Sequence, residues 1–320
     1  MILSGEYAIF VKVNMRFMPI EISVIICTYN RDKFIYRTLE HIACNGFPTD
    51  SYEIILIDNN STDQTAAECQ RFSDHFPDLN FHYFTETQQG LSFARNRGIR
   101  EAQGDILLFL DDDAFMQKDY LLRLSGYLRN YPDAAAFGGK ITPLYESEKI
   151  PEWMSKWTYS WVSAINKGTN VCLFEGNSYP IGANMGFRRA SIPPEGFNTA
   201  LGRNKGNLMG GEEKDIFNRM KARNARIYYF PDTEVLHVIP EKRTTREYIK
   251  QMALGIGKSE RIRTLSVSLF AFYKRLFAEA IKWGASCLLY IHYLLSFTPS
   301  KGFILIYFRW HVTRGLFIPK

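Results

Sequence analysis

Three short runs of consecutive apolar residues, each followed by a polar turn, constrain the fold of this chain most strongly. They occupy residues 22–27, 53–57 and 106–110, and the first two are rich in β-branched side chains. Such runs are typical of strands that are buried on both faces of a parallel sheet. Helical patterns separate them, and a further strand is predicted at 81–85. This order predicts an α/β fold with a doubly wound, mostly parallel sheet flanked by helices.

Charge is distributed unevenly along the 320 residues. The chain carries a net charge of +6, but residues 240–320 hold 14 Lys and Arg against 4 Asp and Glu. The preceding residues hold 25 against 29, so a basic segment follows a slightly acidic body. Such asymmetry favours contact with an anionic surface.

The basic segment also contains an apolar stretch at 284–297, which is too short to span a bilayer, since spanning takes roughly 20 residues. Aromatic residues alternate with Lys and Arg just before it. This composition predicts a basic amphipathic helical region at 241–320 that contacts a membrane peripherally through 266–320. The alternative is an ordinary helical cap that packs on the sheet.

The cysteines and the N-terminus favour a cytoplasmic protein. Five separated cysteines without a C-x-x-C pair argue against a disulfide framework or a cysteine zinc site. The first residues do not form a signal-peptide pattern. Residues 1–18 are interpreted as an extension or a misassigned start, because Met15 or Met18 stands just before the first strand.

The strongest chemical signal is Asp111-Asp112-Asp113, which directly follows a buried run. Three adjacent carboxylates repel one another, and a divalent cation removes that cost. Asp111 and Asp113 project to the same side of an extended chain, and their oxygens suit Mg²⁺ or Mn²⁺. The cluster therefore predicts a metal that is presented to a diphosphate, with a solvated acidic loop as the alternative.

Two further candidates are weaker when taken alone. Glu212 and Glu213 follow two glycines and begin a helical pattern. Either carboxylate can act as a general base toward a hydroxyl, or both can simply favour a helix N-terminus. His237 follows a predicted strand and is either structural or a ligand.

Other catalytic motifs are missing from the sequence. Residues 255–259 resemble the end of a P-loop, but Met252 stands where its first glycine belongs and no strand precedes it. Neither G-x-S-x-G nor H-E-x-x-H is present. A dinucleotide oxidoreductase and a metalloprotease therefore have no support.

Taken together, five segments resemble the family 2 glycosyltransferases of the GT-A fold. The resemblance covers about two thirds of the chain, from Pro19 to His237, and the segments are ISVIICTYNR, EIILIDNNSTDQT, GLSFARNRGIREAQGDILLFLDDDAF, GANMGFRRA and GGEEKDIFNRM. It implies a GT-A domain at 19–240, with a nucleotide-binding half at 19–115 and an acceptor and catalytic half at 116–240.

The resemblance also implies roles for single residues. Glu213 matches the position of the catalytic base, with Glu212 as the second candidate. Asp111 and Asp113 would hold a divalent cation, Mn²⁺ or Mg²⁺, with help from His237. The residues implied to bind the nucleotide sugar are Thr28, Tyr29, Asn30, Arg31, Asp58, Asn59, Arg95, Asn96, Asp111, Asp112 and Asn184.

Two more details follow from the resemblance. The family often has a second acidic residue where Asn59 stands. The residues implied to close over the leaving phosphates are Arg243, Arg246 or Lys258. Residues 151–161 hold three tryptophans at helical spacing, which fits an acceptor loop that stacks on sugar rings or a core helix equally well.

The implied activity is an inverting transfer of one sugar from a nucleotide-sugar donor, a UDP-sugar in the first instance, to a hydroxyl of a glycan or lipid-linked acceptor. Ile306 stands where the Q-x-x-R-W pattern of processive members has glutamine, so transfer of a single sugar is expected. The enzyme would serve surface polysaccharide synthesis at the inner face of the cell membrane, with no nucleic-acid partner. The alternatives are a nucleotidyltransferase and an inactive nucleotide-sugar-binding protein.

Overall fold

The structure is a computed structural model that describes residues 20–202, 211–265 and 267–318. The predicted extension at 1–18 lies outside the described residues.

Strands and helices alternate through the first third of the chain. The strands are β1 (Ile22–Thr28), β2 (Tyr52–Asp58), β3 (Phe81–Thr85) and β4 (Ile106–Asp111). The helices between them are α1 (Asp32–Ala43), α2 (Thr65–His75) and α3 (Leu91–Glu101). The predicted order of strand, turn and helix is therefore confirmed.

The second part of the chain adds five strands and two helices. They are β5 (Ala114–Met116), α4 (Tyr120–Asn130), β6 (Ala134–Tyr145), β7 (Cys172–Leu173), β8 (Met185–Arg188), α5 (Glu212–Ala222) and β9 (Arg226–Ile239). The sequence pattern predicted few clear strands here. Glycine, proline and charged residues interrupt β6 and β9, and the register between them shifts at Gly139 and Ile141.

The described strands form one sheet in the order β3-β2-β1-β4-β8-β6-β9-β5, and β7 pairs with β9 outside that order. The pairs among β1, β2, β3 and β4 are parallel. β8 is antiparallel to both β4 and β6, while β6 and β9 are parallel. The doubly wound α/β class is confirmed, and the antiparallel pairs lie in the second half.

Alternate side chains of the buried strands enter two different cores. Val24 and Ile26 of β1 pack into the cluster that contains Leu39 of α1, whereas Ile25 packs into the cluster that contains Phe217 of α5. Because both faces of the sheet are covered, the apolar runs have no polar alternation. The polar residues are confined to the strand ends.

After β9 the chain is helical. It forms α6 (Glu241–Thr244), α7 (Arg246–Leu265), α8 (Leu269–Leu295) and α9 (Pro299–Phe317). We call α7, α8 and α9 the C-terminal helical unit. Residues 296–298 form the turn between α8 and α9.

The C-terminal helical unit has its own small core. Ile249 and Ala253 of α7 pack against Phe308 and Val312 of α9. Gly257 and Gly315 let these two helices approach closely, because a Cβ on either would strike the backbone of the other helix. Among the described residues, no helix combines the length and the apolar character that crossing a bilayer requires.

Candidate active site

A cavity of about 360 Å³ opens where β1 and β4 end. We call it the β1–β4 cavity. In open α/β sheets, ligands bind at the carboxyl ends of the strands where the strand order reverses, and β1 lies at such a point between β2 and β4. The predicted site residues that line it are Thr28, Tyr29, Arg31, Asn59, Asp111, Asp112, Asp113, His237 and Arg243.

Asp111, Asp113 and His237 offer ligand atoms that all lie within 4.8 Å of one another. His237 Nε2 is 3.1 Å from Asp113 Oδ1 and 4.0 Å from Asp111 Oδ2. The sheet causes this meeting, since β5 directly follows the acidic run and Ala114 is paired with His237 of β9. The predicted grouping of the two aspartates with His237 is therefore what the fold builds.

Arg31 supplies the positive charge nearest to the acidic run. Its Nε lies 3.3 Å from Asp112 Oδ1, and its Nη2 lies 3.5 Å from Asp113 Oδ2. Burial raises the pKa of Asp112 to about 7, although Arg31 opposes the shift. Burial also acts to raise the pKa of Asp113, but the hydrogen bond and charge of His237 outweigh it, so that pKa is lowered.

The donor set fits a hard divalent cation. Two carboxylates and an imidazole nitrogen converge on one point, and this mixture suits Mn²⁺ or Mg²⁺ better than a thiophilic metal. Asp113 and His237 are both almost fully buried, so they are held in place before any ion arrives. Carboxylates buried this closely together are costly without positive charge beside them.

Glu212 and Glu213 stand at the start of α5 and share one partner. Arg95 Nη1 donates to Glu212 Oε1 and Arg95 Nη2 donates to Glu213 Oε1, each at 3.0 Å. The amide of Gly182 also donates to Glu213 Oε1, at 2.8 Å. Glu212 is buried, whereas Glu213 is partly exposed, so Glu213 is the one that a substrate can reach.

Glu213 is held in a state that favours proton uptake. Burial raises its pKa, Arg95 opposes the rise, and the charges of Glu212 and Asp111 add to it. A carboxylate with a raised pKa accepts a proton more readily at neutral pH. The geometry thus favours Glu213 over Glu212 as the acceptor of a proton.

Gly182 is the point where these groups meet. A Cβ on Gly182 would lie 2.7 Å from Glu213 Oε1 and 3.1 Å from Asp111 Oδ1, and it would strike Arg95 Nη2. The metal-binding run and the carboxylate pair therefore lie on either side of one glycine. Sequence reasoning gave Gly182 no role of its own, although it is the first residue of the segment GANMGFRRA that carries part of the resemblance.

Several residues that the resemblance places in the nucleotide site have side chains engaged elsewhere. Asp58 accepts hydrogen bonds from the Ser61 amide and from the Tyr83 hydroxyl. Asn30 accepts from the amide of Thr62 and joins the end of β1 to the loop after β2. Neither side chain lines the β1–β4 cavity.

Three more of these residues support neighbouring segments. Asn96 binds both the amide and the carbonyl of Phe197. Asn184 is fully buried, donates to the carbonyls of Lys140 and Thr233, and accepts from the Tyr120 hydroxyl. Arg95 is committed to the two glutamates, and these contacts make all three residues parts of the frame around the cavity.

Asn59 lines the cavity, but the hydrogen-bonding groups of its side chain are occupied by the neighbouring loop. Its Nδ2 donates to the carbonyls of Glu86 and Gln88, and its Oδ1 accepts from the Gly90 amide. Gln89 and Gly90 line the cavity beside it. Sequence reasoning gave Gln89 and Gly90 no role, although Gly90 begins one of the five segments that carry the resemblance. The φ of Gly90 is 142°, a conformation that favours glycine.

The tryptophan-rich segment 151–161 forms turns and a short 3₁₀ helix at Tyr159–Val162. The alternative of a core helix is therefore wrong about the helix. Trp153 and Trp161 do reach the core of the C-terminal helical unit, but they reach it from a loop. Trp161 stacks on Phe308 at 4.3 Å between ring centroids. Trp157 stays 49% exposed. Because Trp153 and Trp161 pack into the core of the C-terminal helical unit, the segment joins this unit to the rest of the chain.

The chain belongs to glycosyl transferase family 2, whose model matches residues 23–193. It is therefore a glycosyltransferase, as the five segments predicted. A glucosyl-dolichyl phosphate glucuronosyltransferase of Haloferax volcanii is 25% identical over 252 residues, which make up 77% of this chain and 78% of that protein.

Solved structures confirm the predicted GT-A fold. The mannosyltransferase PcManGT from Pyrobaculum calidifontis, in complex with GDP-Man and Mn²⁺, matches 92% of this chain and 88% of its own, with a TM-score of 0.58 at 19% identity. S. aureus TarS 1–349 in complex with UDP-GlcNAc matches 74% of this chain and 66% of its own, with a TM-score of 0.52 at 21% identity.

Proposed function

We propose that this chain is an inverting, metal-dependent glycosyltransferase. It moves one sugar from a nucleotide-sugar donor, in the first instance a UDP-sugar, to a hydroxyl of a glycan or lipid-linked acceptor. The nucleotide lies in the β1–β4 cavity, and the transferred sugar lies beside Gly182. Relatives and neighbours that act on nucleotide sugars or lipid-linked saccharides, or that bind nucleotide sugars, support the proposal.

The cation and its ligands act on the donor side. Asp111, Asp113 and His237 would hold Mn²⁺ or Mg²⁺, which when bound neutralises charge on the diphosphate. Arg243 lines the same cavity and brings a second positive charge to the leaving group. Since negative charge grows on the diphosphate as it leaves, positive groups fixed in advance favour the reaction.

Glu213 acts on the acceptor side. Its carboxylate takes the proton of the acceptor hydroxyl while that oxygen forms a bond to the anomeric carbon. The bond from that carbon to the diphosphate oxygen breaks, and the electron pair leaves with the nucleoside diphosphate. Because attack and departure take place on opposite faces, one displacement inverts the anomeric configuration and needs no enzyme nucleophile.

The convergence at Gly182 is the observation that carries this proposal. Asp111 belongs to the donor side and Glu213 to the acceptor side, and both lie within about 3 Å of one Cβ position. A single sugar ring placed beside Gly182 is therefore within reach of both. Arg95 donates a hydrogen bond to Glu213 and keeps the carboxylate pointing toward this position.

The test compares Glu213→Gln with Glu212→Gln in the full chain. We expect Glu213→Gln to bind UDP normally and to lose about 10²- to 10⁴-fold in the rate of UDP release from the donor, because general-base catalysis supplies that much. Glu212→Gln should lose less, since Glu212 is buried behind the base. Glu195→Gln, an exposed carboxylate, is the matched control.

Two outcomes would count against the assignment. If Glu213→Gln stays active while Glu212→Gln is inactive, the base is Glu212. If both stay active, neither carboxylate removes the proton and the assignment of the base to this pair is wrong.

We also propose that α8 rests on an anionic membrane surface. The outward side chains of this helix form an apolar stripe, and Phe270 and Leu288 are 78% and 70% exposed. The other members of the stripe are Tyr273, Phe277, Ile281, Ile291 and Leu295. They recur at intervals of three, four or seven residues, so they share one helix face.

Charge supports a lipid surface as the occupant of this stripe. Lys274 and Lys282 are exposed on the same helix. Of the acidic residues of the C-terminal helical unit, Glu279 is buried and binds Arg275 and Arg309, Glu260 binds Arg275, and the exposed Glu247 pairs with Lys250. An exposed apolar helix face flanked by lysines is typical of interfacial helices on anionic lipid.

The membrane proposal is tested with anionic and neutral vesicles. The double variant Phe277→Glu/Ile281→Glu should sediment at least about tenfold less with anionic vesicles than the unaltered chain does, because carboxylates are repelled and two apolar contacts are lost. Leu122→Glu on α4, which replaces an exposed leucine far along the chain, is the control. Equal sedimentation contradicts the proposal, and a dimer that the double variant dissociates would assign the stripe to a second copy instead.

A further inference from the structure

A second cavity, of about 470 Å³, is lined by residues that lead up to Gly182. We call it the Tyr159–Tyr179 cavity. One wall comes from residues 156–167, which include the 3₁₀ turn, and the other comes from residues 174–181. Its volume falls within the range of small-molecule sites.

The second wall runs directly into the catalytic centre. Ile181 lines the cavity, and the next residue is Gly182, whose amide donates to Glu213. Tyr179 of the same wall stacks on Phe217, at 6.2 Å between ring centroids. Phe217 and Glu213 are four residues apart on α5 and so lie on one face of that helix. The cavity therefore adjoins the segment that holds Glu213.

The lining has the chemistry of a saccharide site. Tyr159 and Tyr179 provide aromatic faces, while Ser160, Asn166 and Asn177 provide hydrogen-bonding groups. Binding sites of this kind combine aromatic walls with a few polar groups that fix orientation. Such a lining differs from that of the β1–β4 cavity, which is dominated by acidic groups and their cationic partners.

The charge of the lining is positive. Lys156 and Lys167 line the cavity, and no lining residue is a carboxylate. Among the described residues neither lysine has a carboxylate partner, and each ammonium lies only near an aromatic ring, Trp157 and Phe174 respectively. Lys221 lies just outside the lining and binds the carbonyls of Gly176 and Ser178, which fixes the second wall. Unpaired ammonium groups at a cavity attract a phosphate or carboxylate.

We propose that the Tyr159–Tyr179 cavity binds the acceptor, and that this acceptor is a saccharide carrying a phosphate or carboxylate group close to the sugar that is glycosylated. The inference rests on the proposed transferase function and adds the substrate class to it. The tyrosines face the sugar rings, and Lys156 and Lys167 hold the anionic group. The anion thus fixes which hydroxyl is presented to Glu213.

The wall that carries Lys156 is tied to the C-terminal helical unit. Trp153 and Trp161 stand on either side of it and pack into the core of that unit. The Ser300 hydroxyl at the start of α9 donates to the carbonyl of Glu152. A movement of the helices against a surface would therefore move this wall, so a phosphate next to a lipid is one possible source of the anion and an acidic sugar is the other.

The experiment measures saccharide binding to the full chain in the presence of UDP and Mg²⁺ by saturation-transfer NMR. The probes are glucose 1-phosphate, glucuronic acid and uncharged methyl glucoside. We expect the anionic probes to bind about five- to tenfold more tightly than the neutral one, as a charge-assisted contact gives. A preference for glucose 1-phosphate indicates a phosphate-bearing acceptor, and a preference for glucuronic acid indicates an acidic sugar.

The variants assign this preference to the cavity. Lys156→Gln/Lys167→Gln should abolish the preference and leave UDP affinity unchanged, while Lys149→Gln, an exposed lysine outside the lining, should behave as the unaltered chain does. The inference is overturned if the neutral probe binds equally well, if no probe binds, or if the double variant keeps the preference. Loss of UDP binding by the unaltered chain would instead contradict the proposed function, so the two failures are distinguishable.

Discussion

The sheet-forming part of the chain and the C-terminal helical unit place their apolar and charged residues in opposite ways. We call the sheet-forming part, residues 20–202 and 211–239, the body. In the body, apolar side chains fill two cores and carboxylates gather at one sheet edge, as with Phe72 inside and Asp113 at the cavity. In the helical unit, the ion pairs of Glu279 are inside and aromatic residues such as Phe277 are outside. The carboxylates of the body line a cavity, whereas the unit leaves an apolar helix face exposed, and this difference is what the proposed ligand site and the proposed membrane contact rest on.

The largest expected difference between the two regions is in how much the loss of one aromatic ring lowers the free energy of unfolding. Phe72→Ala removes a fully buried ring of α2, and we expect it to lower the free energy of unfolding by about 3–5 kcal/mol. Phe277→Ala removes a ring of α8 that is 69% exposed, and we expect a change within about 0.5 kcal/mol. Urea unfolding of both variants measures the difference. Comparable losses would mean that the stripe on α8 is packed against protein.

Replacing one glycine by alanine in each region should lower the transfer rate in the first case and leave it unchanged in the second. Gly182→Ala displaces Arg95 and Glu213, and we expect the transfer rate to fall about 10- to 100-fold while UDP binding is kept, since small misplacements of catalytic groups cost that much. Gly284→Ala on α8 meets no atom within 4 Å, so it should leave the rate unchanged and stabilise its helix by up to about 1 kcal/mol. Full activity in Gly182→Ala would mean that the ring does not bind beside Gly182.

The pH dependence of the two regions should also differ. Because burial raises the pKa of Glu213, transfer should fall as the pH drops through a value above the ordinary glutamate range. Vesicle binding through the apolar stripe of α8 should change less over the same interval, because the side chains of Phe277 and Ile281 do not titrate. The measurements are pH profiles of kcat/KM and of sedimentation. A profile for Glu213→Gln that retains the acid limb would assign the limb to another group.

Sequence reasoning reached most of the first half of the fold and the acidic run for one physical reason. Strands buried on both faces leave an unbroken apolar pattern, and the residue that ends such a strand, as Asp111 does, is placed by the sheet itself. The same reasoning brought His237 to Asp113 only as a possibility, because that contact depends on the pairing of β5 with β9.

The remainder depends on contacts that no local pattern encodes. Asn59 and Asn184 are of a residue type that often binds ligands, but their side-chain amides donate hydrogen bonds to backbone carbonyls of distant segments. Gly182 acquires its role only when the segment after β7 folds back beside α5, and Lys167 only when the segment before β7 meets residues 174–181. The choice between Glu212 and Glu213 likewise follows from which of them the fold leaves partly exposed, since Arg95 binds both.

The measurement that tests the central claim most directly is calorimetry of UDP binding with and without Mn²⁺. We expect Mn²⁺ to strengthen UDP binding by the unaltered chain at least about tenfold, because a cation held by Asp111, Asp113 and His237 would supply positive charge to the diphosphate. Asp113→Asn should lose this metal effect, while the exposed control Asp105→Asn should keep it. If Asp113→Asn binds UDP with an unchanged dependence on Mn²⁺, the metal site and the mechanism built on it are wrong.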